Sequence, residues 1–355
     1  MTNVALDGRM LRHDQAGIGR YIWRLQEALA TQPRDGMEIE LLADRRGRLP
    51  GRPSLPVRSA FAPVRGRLER FLLGRALRGT DLAHYPDHGI PDGVEVPAVV
   101  TVHDISFLTH PETHAAASRR HYAGAIRSWR RARAVIVPSK HVRTAILERD
   151  LADEARLTVI PYAPGLSATN ETCDERAWPG PFGLMVGTIQ PRKNVALAAR
   201  AFGASSFAQN GTLLVAGALG YRGAEIVRAV RSEPGTECVR FPGRVSDEML
   251  VRLLSQAEFV LLPSLDEGFG LPAVEAMSSG TPVIAARVGT VPEVVGEDAL
   301  LIEPDDVEGL TAAIDQLADD EGLRASLGAR GRARAAKFSW ERTARDTLAV
   351  YEASA

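Results

Sequence analysis

The carboxylates Glu267 and Glu275, separated by seven residues in EGFGLPAVE, form the densest chemical feature of the chain. Gly268 and Gly270 between them permit positive φ and close backbone approach, and Pro272 suits the first position of a helix. Backbone N–H groups at such a start point out of a positive helix end, an arrangement that holds phosphate. A carboxylate in the first turn, where Glu275 is expected, would repel phosphate, so its better task is accepting hydrogen bonds from hydroxyls. Anion donors flanked by two hydroxyl acceptors suit a sugar nucleotide; the bland alternative is a glycine turn with a glutamate complementing the helix dipole. The same residues satisfy G-x-G-x-x-A, the dinucleotide fingerprint. There the first glycine closes the strand directly, whereas Ser264 to Glu267 intervene here after FVLLP.

A second group lies in GTIQPRKN, residues 187–194. Lysine is rare in this arginine-rich chain, occurring at Lys140, Lys193 and Lys337 alone, which makes Lys193 beside Arg192 more informative. Asn194 is a candidate N-cap for the helical pattern VALAARAF. Two cations at a helix start repel each other unless an anion lies between them, and a leaving diphosphate would supply one. A third group is His103-Asp104, after the apolar run AVVTV. Histidines cluster from His84 to His121, but Pro111 interrupts the His110/His114 spacing and no Glu-x-x-His element follows. No Asp-x-Asp triplet of the kind that chelates a diphosphate cation occurs, so the expectation is no metal and no cofactor. In AGIGRY, Gly17 and Gly19 precede a helical pattern, as a plain loop or as a glycine-rich wall.

These groups need elements to hold them. Short apolar runs alternate with helical patterns, which predicts parallel α/β architecture. The candidate strands are VALD, IELLA, LAHY, AVVTV, AVIVP and LTVIP, then GLMVG, TLLVAG, VRFPG, FVLLP, PVIAA and ALLIEP. In open α/β sheets ligands bind beyond the carboxyl ends of strands, and all three polar loops fall there. The aperiodic stretch 160–181 reads as a linker, and 355 residues suit two domains. The expected division is an amino-terminal domain 1–165, with a final helix 339–355 returning to it, and a carboxy-terminal domain 170–338.

Charge is nearly balanced, at −1, with no apolar run long enough to span a bilayer and two cysteines, too few for a disulfide framework. The start MTNVALDGRM lacks the pattern of a secretory leader, so the expectation is a cytoplasmic protein. The stretch RGRLERFLLGRALRG, 65–79, reads as a basic amphipathic helix that could rest on the anionic inner face of a membrane or bind a phosphorylated acceptor; the ordinary alternative is a solvated face. Nothing points to nucleic acid.

Taken together, AGIGRY, VHDISFLTHPETH, VPSKHV, VGTIQPRKN, FPGRVSDEML, EGFGLPAVE and GTVPEVVGEDALLIEPDD resemble the bacterial family 4 glycosyltransferases of the GT-B fold, two Rossmann-like doubly wound parallel-sheet domains facing a cleft. GTIQPRKN and HDISFLTHPE look most like mannosyltransferases that build surface polysaccharides. The resemblance implies a retaining enzyme that moves a hexose from a nucleotide-diphosphate sugar, GDP-mannose first, to a glycan, lipid-linked or small-molecule acceptor. It implies that Glu275 holds the ribose, that Glu267 with Gly268, Phe269 and Gly270 holds the donor sugar, and that Arg192 and Lys193 hold the diphosphate. Gly243 and Val245 would meet the base, His103 the reaction centre, and Gly17 and Gly19 the cleft near the phosphates. Many members carry arginine where this chain has Thr188, which makes Lys193 a firmer assignment than Arg192. A UDP- or dTDP-sugar donor, a phosphorylase or epimerase, and a silent nucleotide-sugar-binding subunit remain open alternatives.

Overall fold

The computed structural model describes residues 1–12, 17–34, 36–61, 64, 69–166 and 175–355, the Arg70 side chain excepted. The chain forms two compact units. The first comprises Met1–Phe107, Ala116–Gly165 and Ser339–Ala355, and the second comprises Leu108–Ala115 and Leu166–Phe338.

In the first unit the strands are β1 (Thr2–Asp7), β2 (Met37–Asp44), β3 (Val57–Ala60), β4 (Leu82–Tyr85), β5 (Ala98–Thr101), β6 (Ala134–Val137) and β7 (Leu157–Val159). They pair in parallel in the order β3-β2-β1-β4-β5-β6-β7. The strands β4, β5 and β6 are buried along their whole length. Continuous apolar runs such as AVVT and AVIV follow from that burial, because helices cover both faces of a parallel sheet. The edge strand β3, VRSA, was not among the expected runs; its exposed and half-buried residues alternate, and it has no apolar run to betray it. The helix Gly17–Thr31 buries Ile22, Leu25 and Leu29. Within the basic stretch, the helix Glu69–Ala76 and the turn after it bury Leu73 and Leu77 in the unit itself, while Phe71 stays 62% exposed. The last helix, Trp340–Ser354, is capped by Ser339 and belongs to this unit. Tyr351 is fully buried, and its hydroxyl meets His84 Nδ1 at 2.7 Å.

The second unit contains β8 (Phe182–Val186), β9 (Thr212–Ala216), β10 (Val239–Gly243), β11 (Phe259–Leu262), β12 (Val283–Ala286) and β13 (Leu300–Ile302). Its parallel order is β10-β9-β8-β11-β12-β13. Leu213, Val215, Phe259 and Ile284 of the sheet pack with Phe202, Ile314 and Leu317 of the covering helices. Ser246 caps the helix Asp247–Gln256 by accepting from the Met249 N–H, and Asp247 and Glu248 occupy its first turn. Both sheets are doubly wound about their first strand, the Rossmann-like arrangement expected from the alternating pattern. Among the described residues no helix is long and apolar enough to cross a membrane.

Candidate functional site

The chain order reverses between β8 and β11, and at such a switch point the loops leaving the two strands part and open a crevice. The loop after β8 carries Arg192 and Lys193 in a turn of 3-10 helix, Pro191–Lys193. The loop after β11 carries Ser264, Asp266 and Glu267, and a backbone bond from Leu265 N to Arg192 O (2.8 Å) ties the two loops together. Lys193 Nζ donates to Glu267 Oε1 at 2.5 Å, Ser264 Oγ donates to the same oxygen at 2.7 Å, and Arg192 Nη1 lies 3.3 Å from Glu267 Oε2. Arg192 also donates to the Asp266 carbonyl.

The three charged side chains are 7–12% exposed, so this is a nearly desolvated cluster. Burial alone would push the Glu267 carboxyl up; Lys193 and Arg192 outweigh it and hold the group below its ordinary range, ionised at neutral pH. The anion between the two cations is therefore Glu267 itself, where the expectation had assigned that place to a diphosphate. Within this trio one carboxylate faces two cations, and the Asp266 carboxylate lies on the same loop.

The helix Leu271–Ser279 starts beside this cluster. Gly270 is its N-cap at φ +83°, a left-handed conformation that favours glycine. Leu271 takes the first helical position, so Pro272 stands at the second rather than the first. Glu275 lies at the fifth position, beyond the first turn, and is 2% exposed. That placement moves its charge away from the positive helix end. Gly268 is buried, and Phe269 is buried edge-on against Phe338. Gly187 (φ +136°) follows β8, and its carbonyl oxygen would lie 1.9 Å from a Cβ at Gly217. Gly217 N in turn donates to Gly243 O at 2.9 Å, which places Gly243 (φ +77°) beside the glycines that follow β8 and β9; Val245 is two residues on, half-buried.

Asn194 precedes the helix Val195–Ala204 as expected, but in a left-handed conformation without a side-chain cap. Its Nδ2 donates instead to Pro304 O at 3.2 Å. In the same unit, Thr109 Oγ1 donates to Asp266 Oδ2 at 2.8 Å, a contact that no sequence pattern announced. Only a polar residue next to Glu267 hinted at it.

His103 belongs to the first unit, two residues beyond β5. Its Nε2 lies 2.7 Å from the Pro86 carbonyl and its Nδ1 2.7 Å from the Tyr162 hydroxyl. A carbonyl only accepts, so Nε2 carries the proton and Nδ1 accepts from Tyr162. Burial and the neighbouring His88 push the imidazole down to about 4, so it is neutral at pH 7. In this arrangement His103 takes a proton from a substrate only by giving up the Tyr162 bond. Gly17 and Gly19, the latter buried, open the helix Gly17–Thr31 of the same unit.

Two family descriptions match consecutive parts of the chain: "Glycosyltransferase Family 4" over residues 16–163 and "Glycosyl transferases group 1" over residues 178–334. O-antigen chain mannosyltransferase B of Escherichia coli is 32% identical over 76% of this chain and 73% of its own length. The MMP alpha-(1->4)-mannosyltransferase of Mycolicibacterium hassiacum is 50% identical over a shorter match, 33% of this chain and 29% of that enzyme. Among solved structures, sucrose-phosphate synthase of Thermosynechococcus elongatus shares the fold with a TM-score of 0.78 at 23% identity, covering 99% of this chain and 98% of that one.

Proposed function

The chain belongs to the family 4 glycosyltransferases, mannosyltransferase-like within them, and from that premise we propose that it transfers mannose from GDP-mannose with retention of configuration and without a metal ion. The observation that carries the reading is the Arg192–Lys193–Glu267 cluster at the β8/β11 switch point, beside the start of a helix. Relatives named as mannosyltransferases favour mannose, and one named for O-antigen chains favours a glycan acceptor in polysaccharide synthesis.

In the proposed reaction the bond from the sugar C1 to the phosphate oxygen breaks as the acceptor oxygen joins C1 on the same face. The released phosphate oxygen takes the acceptor proton. Lys193 and Arg192 stabilise the charge that grows on the diphosphate, and their approach is fixed beforehand by Glu267. The Gly268–Gly270 backbone and the helix start add N–H dipoles of the same sign. Glu275 accepts from the ribose hydroxyls, and the Gly243–Val245 backbone faces the base. A neutral His103, its Nε2 proton held by the Pro86 carbonyl and its Nδ1 by the Tyr162 hydroxyl, has an orienting role, and the proton transfer does not route through it.

The test is a panel of GDP-mannose, UDP-glucose and dTDP-rhamnose, scored for nucleotide release with and without EDTA, with the product anomer read by NMR. Release from GDP-mannose that persists in chelator, with the donor's configuration kept, is expected. Loss of turnover in EDTA, an inverted product or preference for another donor would each defeat the corresponding part.

A further inference from the structure

The second unit takes in a short segment, Leu108–Ala115, from within the sequence of the first. The segment is stiffened locally. Pro111 opens a turn of 3-10 helix, Pro111–Thr113, and Thr113 gives its N–H (3.0 Å) and its hydroxyl (2.7 Å) to the His110 carbonyl. Just ahead of this turn, Thr109 Oγ1 donates to Asp266 Oδ2 at 2.8 Å. A hydroxyl has one proton to give, and the carboxylate takes it. His110 Nδ1, 3.2 Å from the same Oγ1, is therefore the donor in that contact.

Asp266 is 6% exposed, and a carboxylate so far from water needs donors. Its other oxygen, Oδ1, is seated against Gly289, where a Cβ would lie 2.8 Å away and where φ is +53°. The Asp266 backbone serves a different partner. Its carbonyl accepts from Arg192, whose Nη1 also lies 3.3 Å from Glu267 Oε2. One residue thus carries the guanidinium on its carbonyl and a second negative charge on its side chain. Were that side chain to turn onto Arg192, it would neutralise a cation that the phosphates need. We propose that Thr109 is a positioning residue of the donor site: by holding the Asp266 carboxylate, it keeps that charge from pairing with Arg192. The proposal rests on the transferase reading and deepens it, naming what sets the charge of the phosphate site.

Pyrophosphate and GDP affinities, measured by calorimetry, test this, because pyrophosphate reports the cations whatever the base or sugar. Thr109→Val keeps the shape of the side chain and removes its donor. It should weaken both ligands about tenfold, the scale of one hydrogen bond to a charged group, and lower kcat by a similar factor. Thr109→Ser, which restores the hydroxyl, should stay within about twofold of wild type. The deciding variant combines Thr109→Val with Asp266→Asn. An amide brings no charge to Arg192, so affinity should return to within about threefold of wild type, whereas damage to packing would add to the loss. Thr109 is half-buried, and its valine variant should melt like wild type. If it does not fold, Asp266→Asn alone serves, and should bind pyrophosphate at least as tightly as wild type. Unchanged pyrophosphate affinity in Thr109→Val, a double variant as weak as the single, or a weakened Asp266→Asn would each overturn the proposal. Wild-type protein that binds pyrophosphate but not GDP would instead remove the nucleotide assignment, and the variants would still decide the role of Thr109. Binding of neither ligand would overturn both.

Discussion

Lys193 is held 2.5 Å from Glu267 in a site from which water is nearly excluded, so its position is set before any donor arrives. Electrostatic stabilisers of that kind, aimed at a leaving group, are worth about two orders of magnitude in rate each. Lys193→Ala should therefore lower kcat about 100-fold in single-turnover assays, and a rate near wild type would remove the lysine from the mechanism. The same change leaves Glu267 with Arg192 and Ser264 alone, and the carboxyl's titration should move upward. The sequence announced Lys193 through its rarity and its neighbour Arg192. It did not announce that Glu267 binds both cations, because residues 74 and 75 positions apart meet only once the two strands have paired.

At the scale of elements, the glycines after β8 and β9 bring the 187–194 loop against its neighbour. A methyl group at Gly217 would lie 1.9 Å from the Gly187 oxygen, and the offending atom is backbone, which cannot swing aside. Gly217→Ala should push the 187–194 loop off its seat, costing about 1–3 kcal/mol of stability in that unit. GDP affinity measured by calorimetry should fall at least tenfold, and unchanged affinity would show that the loop does not contact the nucleotide. Twelve of the strands were readable in the sequence, the central ones as continuous apolar runs because parallel sheets bury both faces. The exception, VRSA, lies on an edge where burial imposes no pattern. Asn194 shows the limit of cap reading: the residue type was right for the helix start, but its amide found Pro304, 110 residues away.

For the molecule as a whole, the buried titratable groups predict that the two units respond to acid at different pH. His84 is fully buried between Tyr351 and Thr101, and burial followed by the charge of His103 lowers it from 6.5 to about 3. Since the folded value lies below the unfolded one, the unfolded chain binds more protons in that interval; the stability is complete above pH 6.5 and shrinks as pH falls. His84 alone removes about 2 kcal/mol between pH 6.5 and about pH 5, and His103, lowered to about 4, acts in the same direction. Glu267, lowered from 4.5, keeps its contribution until the pH falls below that value. Urea titrations of a Trp178→Phe variant, whose remaining tryptophans 23, 129 and 340 all belong to the first unit, should show that unit's midpoint dropping between pH 6.5 and 5. A midpoint flat over that interval would mean that the imidazoles are not neutral and buried as described.

The return of Ser339–Ala355 to the first unit has a temporal consequence as well. A ribosome delivers the chain from its amino end at about 5–20 residues per second, so every part of the second unit emerges before the helix that buries Tyr351 against His84. Of the two units, the one whose strands emerge first is thus completed second, and a chain truncated just short of Ser339 should show a protease-resistant second unit while the first is still open to cleavage.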